Sequence, residues 1–388
     1  MIKKSKICCV LLLVLMCCKK PYNPPVISTT NSYLVVEGII NSGSDSTIIK
    51  LSKTVKLSDK TAINPLLGAT VTVEGDKNSA YPLVDIYGRG DYSAAGLNLP
   101  ATQKYRLKII TGNKQYVSDF MAVKQTPPID SVNYVISGNT VNLYVSSHDA
   151  ANSTHYYRWD FNETWVFHAK YASDFMLDAN TSTIVPRPAT NQIYRCFGDR
   201  VSSNILLFNT SKLSSDVVYE APLTSIPVTS EKFEEKYSML VTQYALTPDA
   251  FNFYQNLKQN TEDLGSIFDA LPSQISGNIH NAADTTEPVI GYVSVCNTQT
   301  KRIFISRNIF PDDLVATYPY DCEQDSALYS DKTGFNDVQN ALINPPVTFI
   351  PTSSIPSPGG GIAGFLYSSP QCVDCTLRGT TITPPFWQ

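Results

Sequence analysis

Apolar and polar side chains alternate along most of residues 33–125, and this period of two restricts the fold more than any other feature. Leu34, Val36 and Ile40 alternate with Val35, Glu37 and Ile39. Over 47–54, Ile49 and Leu51 share one face while Lys50 and Ser52 share the other. Shorter runs follow at 71–74, 81–87, 97–99, 105–110 and 116–123, with turns at Gly43–Asp45 and Gly88–Asp91. Short strands with this punctuation predict an immunoglobulin-like antiparallel β-sandwich over 31–126.

Pro127 and Pro128 then interrupt any sheet ladder, because each lacks a backbone donor. The second region, 127–388, opens with the same grammar: 132–136 and 141–145 predict a hairpin around Gly138-Asn139. Tyr157, Trp159 and Phe161 share one face of the most aromatic stretch, with Arg158 and Asp160 on the other, as in a strand laid over a core. The period changes at Thr247-Pro248-Asp249, an N-cap, a proline for the first helical position and an acid for the positive end of the dipole. Ala250, Phe251, Tyr254 and Leu257 then recur at helical spacing, predicting one helix near 248–262. The expected fold class is mainly β: an N-terminal immunoglobulin-like β-sandwich followed by a larger β-rich domain with an inserted helix.

The first residues bear on destination. Lys3, Lys4 and Lys6 precede an apolar run, Ile7–Met16, that is too short to cross a bilayer and reads as the core of a signal peptide over 1–17. Cys17 and Cys18 stand where a small-residue cleavage site belongs, an arrangement similar to a bacterial lipobox. Cys18 is the better lipid acceptor, with Leu15 at −3 and Cys17 at −1; Cys17 as acceptor would put bulky Met16 at −1. Residues 18–30, with Pro21, Pro24 and Pro25, read as a tether between lipid and fold. An ordinary secretory signal rich in cysteine is the alternative.

The whole chain has a net charge of −4, and loss of the three leader lysines makes it more negative. No basic cluster follows, which argues against nucleic acid as a partner. After residue 18 the cysteines are Cys196, Cys296, Cys322, Cys372 and Cys375, an odd set, so at least one is free. In an oxidising compartment Cys196, Cys322, Cys372 and Cys375 are the disulfide candidates. The Cys372–Cys375 CxxC is expected to staple the C-terminal end, either within itself or to Cys196 and Cys322. Zinc would want further ligands, and His148, His155, His168 and His280 are not spaced to supply them. A redox site would want a preceding βαβ pattern. No metal site and no cofactor is therefore expected.

No GxSxG, HExxH or P-loop pattern occurs, and no catalytic residue is nominated. Asp312-Asp313 and Asp284 with Glu287 read as loop charge, and Arg378 as a surface arginine, with pairing to Asp374 or binding of an anion as the alternatives. The terminal Phe386-Trp387 reads as an apolar end docked on its own fold, with a partner contact as the alternative.

Several stretches together resemble a known family. They are Leu34-Val35-Val36-Glu37-Gly38, Gly68-Ala69-Thr70-Val71, Thr126 through Val132, Tyr237 through Thr247, Gly265 through Asp269, Val289-Ile290-Gly291-Tyr292 and Cys372 through Gly379. This order resembles the domain-of-unknown-function family 4249, lipoproteins of the Bacteroidota. The resemblance implies an outer-membrane lipoprotein, acylated as by palmitate, often encoded beside a TonB-dependent receptor. It implies no established reaction. Lys19-Lys20-Pro21-Tyr22 stands where an acidic surface-export signal is often found, so surface and periplasmic faces both stay open. The expected function is a non-enzymatic accessory of a TonB-dependent transporter, capturing a ligand or capping the receptor. An envelope hydrolase with a carboxylate site and a structural adhesion module are the alternatives.

Overall fold

The computed structural model describes residues 32–55, 63–262, 277–330, 334–344, 346 and 348–387. Cys17, Cys18 and the tether lie outside them. The first strands are β1 (Leu34–Asn41), β2 (Thr47–Lys53), β3 (Asn64–Pro65), β4 (Thr70–Gly75), β5 (Ala80–Leu83), β6 (Asp91–Ala94), β7 (Lys104–Thr111), β8 (Lys114–Ser118) and β9 (Met121–Ala122). β1, β2, β3 and β6 form one sheet, and β4, β5, β7, β8 and β9 the other. Val36, Ile49 and Leu51 from the first meet Val73, Tyr105, Leu107 and Ile109 from the second in one core. Period two decides which residues are there: Ile49 and Leu51 are buried, while Ile48 and Lys50 face out. Each such aliphatic side chain contributes about 1.5–3 kcal/mol on burial.

The second region contains β10 (Ile129–Ser137), β11 (Thr140–His148), β12 (Tyr156–His168), β13 (Phe175–Asp178), β14 (Thr183–Pro186), β15 (Arg195–Val201), β16 (Leu206–Asn209), β17 (Val217–Pro227) and β18 (Lys236–Ala245). Helix α1 (Pro248–Thr261) follows, capped as the sequence predicts, with the Thr247 hydroxyl accepting from the Ala250 amide at 3.2 Å. Beyond it lie β19 (Ile279–Asn281), β20 (Val289–Ile290), β21 (Val295–Cys296) and β22 (Gln299–Ser306). The β10-β11-β17 sheet packs on a second sheet centred on β12 and β18. Tyr157, Trp159 and Phe161 fill the space between them, so the aromatic row is core. The Trp159 indole donates to Gln243 Oε1 at 2.8 Å, and Gln243 in turn donates to the Pro127 carbonyl at 2.7 Å. That bond fixes the proline linker against the second core.

The second region is not one continuous stretch. After α1 the chain returns to the first sandwich: β19 pairs with β8, and β20 and β21 run parallel to β1. Ile279, Val289, Val293 and Val295 join the first core. The path requires glycine at Gly291, whose φ is +144° and whose added Cβ would run into the Val36 carbonyl. An immunoglobulin-like unit confined to 31–126 would leave the outer edges of β1 and β8 unpaired, and these late segments cover them.

A third unit closes the chain. β24 (Ile350–Pro356) and β25 (Ile362–Ser368), with β23 (Asp325–Leu328), make a three-stranded sheet against the β13–β14 hairpin. Phe175, Ala327, Leu342 and Phe365 form its small core.

Candidate functional site

The four candidate cysteines pair as Cys196–Cys375 and Cys322–Cys372. The CxxC therefore does not close on itself; its two sulfurs bind different parts of the chain. Cys375 holds the C-terminal segment to β15, and Cys372 holds it to the loop before β23. Cys296 is the free thiol, buried at the junction of the sandwiches, where burial pushes it up to about 12.

A cleft of about 320 Å³ lies between the second sandwich and the 314–318 segment that follows β22. Its floor is a short turn, Glu231–Phe233, that follows β17. Phe233 is buried against Tyr237 and Phe310, with ring centroids 5.4 Å and 5.1 Å away, and this anchors the turn. Glu231 and Glu234 are left at the cleft. Glu231 accepts from Arg378 Nη1 at 2.6 Å. Glu234 accepts from the His168 amide and faces His168 Nδ1, each at 3.1 Å. Tyr194 and Tyr318 line the cleft with Lys170 and Arg307. The Tyr318 hydroxyl donates to the Gln371 carbonyl at 3.0 Å, which ties that wall to the disulfide segment.

Arg378 is neither a surface arginine nor the partner of Asp374. Its guanidinium lies 4.4 Å from the Phe167 ring centroid and 5.2 Å from that of Tyr318. Burial alone would lower its pKa; the Glu231 carboxylate outweighs that and raises it. Asp374 instead accepts from the Thr376 amide at 2.8 Å. Beside the cleft, a hydrogen bond from Arg195 holds the Glu235 carboxyl below its usual range, against the effect of burial. Glu231 and Glu235 are thus held by arginines, while Glu234 faces an imidazole. Such an arrangement presents fixed charges and aromatic edges to a small polar ligand. No local motif announces it, because 168–170, 194, 228–234, 307–318 and 378 meet only in the fold.

A second cleft of about 330 Å³ lies between α1 and the first sandwich, lined by Asp119, Asp249, Asn252, Asn256 and Tyr292 among the described residues. No group of three or more metal-ligating side chains is found among the described residues. The terminal Trp387 stands edge-on to Phe197 and Phe304, with centroids 5.2 Å and 5.8 Å away, so the apolar end docks on its own fold.

Fold and clefts together define a disulfide-stapled protein of packed β-sandwiches with small polar clefts lined by its turns and loops. Within that class, the chain belongs to the family described as domain of unknown function DUF4249, whose model matches residues 19–302. The Cys372–Gly379 motif lies beyond the matched span. Comparison with the curated proteins finds no match. Among solved structures, the chain is similar to a candidate carbohydrate-binding protein from Bacteroides uniformis at 12% identity. The alignment covers 56% of this chain and 91% of that one, with a TM-score of 0.15.

Proposed function

We propose that this chain is a lipid-anchored protein of the bacterial outer membrane, acylated on Cys18, which captures a ligand for a TonB-dependent transporter or caps it. On this reading it catalyses no reaction. The observation that carries the reading is the oxidation of four of the five cysteines after residue 18 into two long-range disulfides. Stable disulfides belong to oxidising compartments, and the sequence supplies an export signal ending in a Cys pair. The match to the family begins at residue 19, directly after the proposed acceptor. The cleft floored by Glu231 and Glu234 is the ligand-capture site on this reading, since binding on a rigid sheet frame is carried by the loops and turns at its edges. Co-purification tests the transporter link: a tagged chain is expected to bring down a TonB-dependent receptor, and repeated recovery without one would overturn it.

One observation favours a hydrolase as the second reading: Asp119 and Asp249 both line the cleft at α1. Two carboxylates in one open cleft are the equipment of glycoside hydrolysis where they stand about 5–9 Å apart. On that reading the purified chain cleaves glycosides and D119N with D249N abolishes cleavage; on the binding reading it cleaves none.

A further inference from the structure

We infer that the free end of the first sandwich is a lipid-docking tip, so that the molecule stands on the membrane by this end. The inference rests on the proposed anchor at Cys18 and adds a second, non-covalent contact.

The chain enters the fold at Tyr33, whose amide donates to Thr54 Oγ1 at 2.9 Å. The register then defines one end of the sandwich. Leu34 lies opposite Lys53, and Lys53 lies opposite Asn64. On the same side of β2, Lys50 pairs with Asp91, and the Leu51 amide donates to the Gly90 carbonyl at 2.9 Å. The 85–90 loop therefore projects past β2 at the end where the tether arrives.

That end is apolar where a soluble surface would be polar. Ile63 is 71% exposed, Leu67 51%, Ile86 71% and Tyr87 77%. Isolated exposed apolar residues are ordinary, but these flank one strand end and one loop that touch: a Cβ on Gly90 would lie 3.1 Å from Pro65. Arg89 and Lys53 are exposed beside them, and the Arg89 guanidinium sits 5.7 Å from the Tyr87 ring centroid. Aliphatic side chains with tyrosine at their margin suit a headgroup boundary, where Arg89 and Lys53 can meet phosphate while Asp85 is turned in on the Arg89 and Gly90 amides.

The occupant follows from where the chain outside the described residues ends. Cys18 lies fourteen residues before Ser32, the first described residue, and a chain of that length reaches at most about 50 Å, so a lipid on Cys18 keeps this end near the bilayer. The other end of β1 is about 25 Å away along the strand. There Asn41 pairs with Cys296, and the Thr126 amide donates to Asn297 Oδ1 at 2.7 Å, joining the second sandwich. The second sandwich is thereby held away from the lipid.

Hydroxyl-radical footprinting tests this. The mature chain, 18–388, is coupled through Cys18 to maleimide lipid in vesicles of phosphatidylethanolamine and phosphatidylglycerol, so the result does not depend on natural acylation. Tyr87 and Tyr219 are matched reporters at 77% and 74% exposure, Tyr219 lying on β17 of the second sandwich. Tyr87 is expected to oxidise about fivefold more slowly on vesicles than in solution, with Tyr219 unchanged. Tyr87 oxidised at the solution rate, or both tyrosines slowed alike, would overturn the tip. Protection of Tyr87 that arises without vesicles as protein concentration rises would assign the end to a second copy instead. If cells leave Cys18 unacylated while the coupled chain still shields Tyr87, the anchor fails and the tip stands.

Discussion

The carboxylate of Glu163 holds the ammonium of Lys232 with both oxygens at 2.7 Å. Glu163 is 4% exposed on β12 and also accepts from the Tyr237 hydroxyl at 2.8 Å. The strand pattern demands an apolar residue at this inward position, and the lysine from the neighbouring turn is what lets a carboxylate occupy it. Removing only Lys232 leaves the charge buried without its counter-ion. Lys232→Met is expected to cost about 3 kcal/mol or more. Glu163→Gln added to it should recover a large part of that loss. Urea denaturation of the single and double variants measures both; a single variant as stable as the parent chain contradicts the pairing.

The disulfides make a second prediction. Peptide mapping without reductant should recover Cys196 with Cys375 and Cys322 with Cys372, and a Cys372–Cys375 peptide would contradict the structure. Each bridge closes a long loop, with sequence separations of 179 and 50. Substituting either pair by alanine should cost about 2–5 kcal/mol. Loss of Cys196–Cys375 should also loosen Arg378 from Glu231, because the C-terminal segment is then free of β15.

Asp149 gives a pH dependence. Burial works to raise its carboxyl, but hydrogen bonds from the Ser153 hydroxyl and from the amides of Ser153, Ala151 and Thr154 outweigh this and lower it from 3.8 to about 2. Between those values the unfolded chain binds a proton that the folded chain does not. The contribution to stability is therefore complete above about pH 4 and is lost as pH falls toward 2. In Asp149→Asn the parent chain's advantage should shrink across that window, read by thermal melts at stepped pH. A constant difference down to pH 2 would contradict it.

The docked terminus gives a fourth. Trp387 packs on Phe197 and Phe304, and the Arg302 guanidinium lies 3.5 Å from the Phe386 ring centroid. Trp387→Ala should lower stability by about 1–2 kcal/mol. Unchanged stability in denaturant would mean that the end does not stay docked.

What the sequence makes legible is local. Thr247-Pro248-Asp249 marks a helix start because the cap, the proline and the acid each satisfy a backbone need within a few residues. Tyr157, Trp159 and Phe161 mark a core face because alternation is a property of one strand. Pairing between distant segments leaves no such trace. β20 and β21 are two residues each, too short for a period, and only topology brings them to β1. The disulfide partners and the cleft at Glu231 are hidden for the same reason. Arg378 reads as surface charge until Phe167, Tyr318 and Glu231 are seen to surround it.

The proposed anchor at Cys18 is tested most directly in cells supplied with a labelled fatty-acid precursor. Expected is label on the mature chain, abolished by Cys18→Ala and kept by Cys17→Ala, with the Cys18 variant released from the membrane fraction. A chain that stays unlabelled, or that fractionates with membranes equally well without the Cys18 thiol, contradicts a lipid-anchored envelope protein.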